Sequence, residues 1–510
     1  MNQADSTLEP INIPADVRTE LPSLTSQLKL KHPKQLFTIS FYTMWVTFSF
    51  YGMKALLIAY MVTQMHLAQA NGYAVLGTYS ALVFGLPFIG GLISDKILGN
   101  RKSIIWGSIL MIAGHLTLAI PFHQTFFAGL ALVACGCGFG SGTDIALVGG
   151  LYSNKDTRRK DAAFSIFYML FNLGSALGGL ICGYVGQTIN WHYGFGLAGL
   201  FMICGLINFL FGINKTYGMP PDNYKLKEKV FLNISREWSI YLVSLIAIAF
   251  VTLLFYHTGI MDFVMLPLTI ISFLYILYIS FRFSKQERLK LFAALTLLLF
   301  TSFFWAFYEQ SGGSMNLFVL QNVNLNVGSI HFSGLSINNF LPSFFLFALT
   351  PLALKTWNGL HKINKEPRSE LKFVIAFLFL GSYFLTLWIG CYLYRSNGMV
   401  PVAFLFIGYL LMEFAELNLG PVSYSLTSKL SPLSIASTMM GVMYLSTSLG
   451  EYFSGKLGAA MAVPAGITNP VESLPYYSTI FLRIAAGCLI IAVILLSLNG
   501  LIKKWMQEIR

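Results

Sequence analysis

The chain has 510 residues, of which 55% are hydrophobic and only 11% charged, against about a quarter charged in soluble globular domains. That composition excludes a water-soluble globule. The net charge of +12 is spread over polar intervals between apolar runs rather than gathered on one face, so it points to orientation in a membrane and away from nucleic-acid binding.

Residues 1–34 are polar, contain Pro10 and Pro14, and lack the apolar core and small-residue cleavage site of a secretory signal, which predicts a disordered cytoplasmic tail. Apolar runs long enough to cross a bilayer, about 20 residues each, then recur to the end of the chain, and spans of that length are helices. Six are expected near 36–65, 72–94, 103–121, 125–151, 162–187 and 191–213, making an N-terminal six-helix bundle over 35–213. A cytoplasmic linker with two additional spans, near 237–256 and 259–282, occupies 214–288. Six further spans, near 289–312, 334–356, 371–394, 400–427, 435–460 and 476–502, make a C-terminal bundle over 289–510. The fold class is all-α, a polytopic membrane protein of about fourteen transmembrane helices.

Lys and Arg crowd alternate loops, among them Lys96, Arg101 and Lys102, then Lys155 to Lys160, then Lys355, Lys362, Lys365 and Arg368. The opposite loops, such as 66–71, 122–124, 190–192 and 322–332, have none. The positive-inside rule therefore places both termini in the cytoplasm. The six cysteines fall in apolar runs and suggest no disulfide or metal framework. The glycine-rich run 136–142 lies inside a span and follows no strand, so it reads as close helix packing rather than a phosphate loop.

Several motifs carry a family resemblance. In the first span, Phe48, Tyr51, Gly52, Met53 and Lys54 fit the signature E-x-x-E-R-F-x-Y-Y-G-x-R/K, whereas Thr43, Val46 and Thr47 stand where it has Glu, Glu and Arg. Gly91-x-x-x-Asp95-Lys96-x-x-Gly99-x-Arg101-Lys102 matches a loop motif between the second and third spans of major facilitator proteins. Phe164-x-x-Phe167-Tyr168-x-x-Phe171-Asn172-x-Gly174-Ser175 fits a second signature, and Phe304-Trp305 to Glu309-Gln310, Ser336-Ile337-Asn338 and Glu416-x-x-x-Gly420-Pro421 fit further elements. On these residues the chain resembles the proton-dependent oligopeptide transporter family of the major facilitator superfamily over nearly its full length. It is a divergent member, with Ser141 also standing where the family commonly has Lys.

The resemblance implies a secondary transporter, not an enzyme, that moves di- and tripeptides or peptide-like amine-bearing solutes by alternating access, and the Lys-rich loops with no large extracellular domain point to a bacterial inner membrane. It implies no cofactor and no metal, with the bilayer, a small-molecule or short-peptide substrate and protons as partners, and a monomer as the working unit. Cargo in such paired-bundle carriers binds near the midplane between the halves. Lys54 falls where the family holds the peptide carboxylate and Glu416 where it receives the ammonium, with Tyr51, Tyr168, Asn172, Trp305 and Asn338 lining the pocket. Asp95, Lys96 and Arg101 form the expected cytoplasmic gate motif.

Ionisable groups inside a membrane are costly, by about 2.5 kcal/mol upward, and mark function. Those in the spans are Lys54, Asp144, Glu309, Glu413, Glu416, Glu451, Lys456 and Arg483. With the first-helix charges gone, Asp144, Glu309, Glu413 and Glu416 are the candidates for proton coupling, Glu413 and Glu416 as a coupled pair three apart on one helix face. An uncoupled facilitator, an exporter of a metabolite such as a siderophore, and a receptor that has lost transport remain open at this level.

Overall fold

A computed structural model describes residues 32–152, 157–213, 217, 224–231, 234–432 and 435–506, so the expected tail lies outside the described residues up to position 31. Thirteen segments are helical, long and apolar enough to cross a membrane. The N-terminal group comprises α1 (Lys34–Thr63), α2 (Gln69–Ile93), α3 (Asn100–Ala119), α4 (His123–Gly140), α5 (Thr143–Gly150), α6 (Thr157–Thr188) and α7 (Trp191–Gly212). Next come α8 (Arg236–Tyr256) and α9 (Ile260–Ser280), then α10 (Lys285–Tyr308), α11 (Ser314–Asn322), α12 (Gly334–Lys362), α13 (Ser369–Leu393), α14 (Ala403–Leu430), α15 (Ala436–Ala460) and α16 (Pro470–Met506). Of these, α15 is less apolar than the thirteen because it carries Glu451, Lys456 and many serines, threonines and glycines.

Two expected spans are broken rather than continuous. The fourth divides into α4 and α5 at Ser141–Gly142, where Gly142 has φ +86°, a left-handed backbone that glycine adopts without a Cβ clash. The ninth in chain order continues past its expected end: α10 tightens into a 3₁₀ turn, Glu309–Ser311, and resumes as α11 after Gly312–Gly313. Its start is also earlier than the hydropathy suggests, at Lys285, because Ser284 and Glu287 form a reciprocal capping box.

Helix contacts sort these segments into two bundles. In the first, α1 packs on α6 and α7, and α4 on α2 and α3; in the second, α13 packs on α14 and α16, and α10 on α14, α15 and α16. The pair α8 and α9 lies at the rim, α8 against α4 and α9 against α15, and these are the least buried spans.

Two seams join the bundles: α2 runs along α15, and α6 along α12. The first depends on glycine. A Cβ on Gly455 would lie 2.6 Å from the Gly77 Cα, and one on Gly458 would lie 2.7 Å from the Tyr73 ring. The second is stitched by Ser175 to Ser343 at 2.8 Å and by the Ser336 hydroxyl donating to the Leu180 carbonyl at 3.0 Å. Further bonds, Val463 N–H to Gln69 and the Ser333 hydroxyl to Gln187, close the ends of both seams remote from the basic loops. By contrast α5 packs within its own bundle, on α1, α3, α4 and α6, and α14 within its own, on α10, α12, α13 and α15. The interface is thus closed at the end away from the basic loops, and the α2–α15 seam stays in contact toward the basic end, where a Cβ on Gly441 would meet the Phe88 ring at 2.5 Å.

Gly455→Val should hold α2 and α15 apart. A cysteine in place of Ser80 (S80C), buried in this seam, should then react with a membrane-impermeant thiol reagent about tenfold faster, the effect of about 1.4 kcal/mol; an unchanged rate would show that the seam does not depend on the glycine contact.

Candidate functional site

The site is organised by two adjacent residues at the end of α10. Where the α-helix gives way to the 3₁₀ turn, Tyr308 and Glu309 reach different neighbours. Glu309 Oε2 lies 2.8 Å from Lys54 Nζ of α1, so an ion pair spans the two bundles. Glu451 of α15 brings a second carboxylate oxygen within 4.0 Å of the same ammonium. Lys54 and Glu451 are almost wholly buried, at 5% and 2% exposure.

Tyr308 turns to α14. Its hydroxyl lies 3.0 and 3.2 Å from the two oxygens of Glu413 and makes a short bond to Oε2 of Glu416. A hydroxyl has one hydrogen to donate. Two carboxyl groups can both be drawn to it only if one of them carries a proton, which makes the pair a single titrating unit.

Charge counting extends the point. The middle of the described spans holds Asp144, Glu309, Glu413, Glu416 and Glu451 against one buried lysine, Lys54. Lys456 pairs with Asp262 at 2.7 Å with both side chains half exposed, and Arg483 is exposed. An unpaired ionised carboxylate in such surroundings is very costly, and carrying a proton is the inexpensive alternative.

The other candidates separate into those near these clusters and those apart from them. Tyr51 is half buried against Phe50 and Phe171 and lies within electrostatic reach of Lys54, Glu309, Glu416 and Glu451. Tyr168, at 39% exposure, is within reach of Glu416 from the opposite bundle, as is Tyr424, at 42%, from α14 itself. Two partly exposed tyrosines, one from each bundle, thus flank Glu416. Trp305 packs edge-on against Phe304 and Tyr308, and its indole N–H is without a partner among the described residues. Asn172 is buried, with its amide donated to the Tyr168 carbonyl. Asn338 is fully engaged within the C-terminal bundle: it donates to the Ser311 carbonyl and Asn316 and accepts from Tyr409.

Asp144 stands apart from the Tyr308 and Lys54 clusters. Sitting in the first turn of α5, it accepts from the Ile145 N–H at 2.9 Å and from the Thr43 hydroxyl at 2.8 Å. Thr47 donates to the Phe171 carbonyl, where α1 and α6 approach so closely that a Cβ on Gly174 would meet the Met44 carbonyl at 2.1 Å. Hydroxyls of Thr43 and Thr47 thus stand at two of the three positions charged in the first-helix signature, and apolar Val46 stands at the third. At the basic end, Arg101 is buried beneath the Phe209 ring, 5.6 Å from its centre. Asp95 and Lys96 belong to the π-helical turn Ser94–Leu98, and their side chains lie outside the described part of the structure.

The residue that motif matching missed is Tyr308. It falls at a variable position between the Phe-Trp and Glu-Gln elements, and its signal was its place beside an intramembrane glutamate. Among the described residues no cluster of three His, Cys, Asp or Glu side chains could hold a metal ion.

Two six-helix bundles joined along two seams, with charged and polar side chains converging between them, define a secondary transporter of the major facilitator fold. Known proteins agree. A family model described as PTR2, POT family, matches residues 101–472. "Dipeptide and tripeptide permease A" of Cronobacter turicensis is 28% identical over 482 residues, covering 94% of each chain. An uncharacterized transporter of Bacillus subtilis, YclF, is 28% identical over 94% of this chain and 96% of its own. Among solved structures, a mutant of the peptide transporter POT in complex with alafosfalin superposes with a TM-score of 0.80 at 28% identity, covering 94% and 96% of the two chains. A POT family transporter in complex with 5-aminolevulinic acid gives 0.78 at 25% identity, covering 92% and 97%. The chain belongs to the POT family.

Tyr308→Phe removes the hydroxyl on which Glu413 and Glu416 converge. Leaving buried polar groups unsatisfied costs about 1–3 kcal/mol, so the purified protein should melt several degrees lower; an unchanged melting temperature would mean that the two carboxyls satisfy each other without it.

Proposed function

We propose that this chain carries di- and tripeptides, or peptide-like amine-bearing solutes, across a bacterial inner membrane by alternating access. Proton movement drives the transport through carboxyls other than those of the first-helix signature. The observation that carries this reading is the convergence of Glu413 and Glu416 on the single Tyr308 hydroxyl, one residue from the ion pair between the bundles.

Glu416 is placed to receive a cargo ammonium. A cation arriving there compensates one negative charge, so cargo and proton compete for the same carboxyl pair, which is the elementary requirement for coupling them. At the far side of Tyr51, Lys54 is the group for a cargo carboxylate. It is held by Glu309 across the interface, so a cargo carboxylate competes with that acid for the ammonium. Tyr51, Tyr168 and Trp305 supply aromatic and hydrogen-bonding surface between these two ends, with Asn172 behind Tyr168. Asn338 acts one layer back, by holding α11 and α12 together. Asp144 belongs to the same reading as a proton acceptor on the N-terminal side, bonded to Thr43 where the family places a glutamate.

The cargo class is supported by relatives named as dipeptide and tripeptide permeases and by the POT family transporter that binds 5-aminolevulinic acid. With the basic loops in the cytoplasm, both termini are cytoplasmic, and Arg101 with Asp95 and Lys96 belongs to the gate on that side. The monomer holds both bundles and hence the whole site.

In liposomes with an imposed pH gradient, acid outside, labelled dialanine should accumulate, and Glu416→Gln should reduce uptake about tenfold or more, as expected for losing a charged hydrogen bond of about 1.5–3 kcal/mol. Uptake indifferent to the gradient, with Glu416→Gln unchanged, would exclude coupling. Lys54→Ala should weaken uptake of free dipeptides more than that of their C-terminal amides; equal losses would remove the carboxylate role from Lys54.

A further inference from the structure

Glu451 is left unused by the function proposed above, although it is the second carboxylate at Lys54. Its Oε2 lies 4.0 Å from the ammonium, its side chain is 2% exposed, and Oε1 has no hydrogen-bond partner among the described residues. Glu309 and Glu451 are also close enough to interact carboxyl to carboxyl, with the Ser80 hydroxyl beside them. A small cavity lies at this point, bordered by Lys54, Gly77, Ser80, Glu309, Glu451 and Ser454. It sits in the closed seam between α2 and α15, next to the Gly77 and Gly455 contact.

One ammonium neutralises one carboxylate. The second, equally removed from water, must be neutral or stand at a cost of several kcal/mol. Two carboxyls within reach of each other attract only by sharing a proton.

We infer that Glu451 is a second proton-binding carboxyl of the inter-bundle lock: it shares one proton with Glu309 beneath Lys54 and serves as the ammonium's alternative partner whenever Glu309 holds that proton. The transfer is balanced. A proton leaves a Glu451 oxygen and joins a Glu309 oxygen, the ammonium turns from Glu309 to Glu451, and the net charge of the group stays zero before and after. The lock can thus change partners without exposing an unpaired charge to the membrane interior. Glu309 and Glu451 both belong to the C-terminal bundle and Lys54 to the N-terminal one, so opening the seam withdraws the ammonium from both acids together and leaves a place for one more proton.

Among the described residues, the further acids within electrostatic reach of Glu309 are Glu413 and Glu416. From α1 the pair is faced by Lys54 and Tyr51, and from α2 by Ser80. On α9 the acidic group is Asp262, taken up by Lys456 further along α15. On α14, Glu413 and Glu416 are occupied by Tyr308.

The inference rests on the proton-coupled reading, yet its test needs no cargo. Infrared spectra of the purified full chain in H2O and D2O should show protonated-carboxyl absorption of which one component is lost in Glu451→Gln and equally in Glu309→Gln, because either change leaves one acid to pair with Lys54 in ionised form. That component should survive in Glu451→Asp, which keeps the acid. Melting temperatures give a second reading. Each single glutamine variant keeps a countercharge for Lys54, whereas the double variant strands it, so the drop in the double should exceed the sum of the singles. A spectrum unaltered by Glu451→Gln, or additive melting shifts, would overturn the assignment. Wild-type transport that ignores pH would instead count against the coupled function and leave the shared proton to be judged by the spectrum.

Discussion

Everything in the centre of this molecule depends on carboxyl groups buried in excess of the cations available to them. Five acids and one lysine occupy the middle of the described spans, and the interior of a membrane protein offers neither water nor counterions to make up the difference. Protons or a cationic solute must do so. That constraint explains why the acids are clustered rather than scattered: a pair that shares a hydrogen-bond donor or an ammonium can be neutralised by one proton.

The corner at Tyr308 and Glu309 gives the constraint a mechanical form. Successive side chains on a helix point about 100° apart, so one residue reaches α14 and the next reaches α1 across the interface, just where the helix tightens into the 3₁₀ turn before Gly312 and Gly313. A proton or cargo charge arriving at Glu416 is thereby one residue from the ion pair that holds the bundles together. The seams on either side are made by glycine contacts and hydroxyl bonds rather than interlocked large side chains. Surfaces of that kind can part and re-form without repacking a core.

Much of this was legible in the sequence. Apolar length and the alternation of basic loops dictate the helices, because a bilayer leaves the backbone few alternatives, and the signatures at Tyr168 to Ser175 and at Glu416 to Pro421 identify the family. The depletion of charge in the first helix was equally plain, and the structure shows hydroxyls of Thr43 and Thr47 in its place. What the sequence did not reveal was partnership. Lys54 and Glu416 read as an open pair awaiting a solute, yet Lys54 is held by Glu309 and approached by Glu451, 255 positions away in the first case. Such pairings depend on how the bundles dock, which no local pattern encodes. The breaks at Gly142 and Gly312 escaped for a related reason: apolar runs continue through them, and only backbone geometry separates the pieces.

The direct measurement is of proton movement tied to cargo movement. Vesicles containing the purified protein and a trapped pH dye, with no gradient imposed, should acidify inside when dialanine is added outside, in proportion to the peptide taken up. Peptide entry with no change of internal pH would contradict the account, because the excess acids at the centre would then be neutralised by protons that never leave.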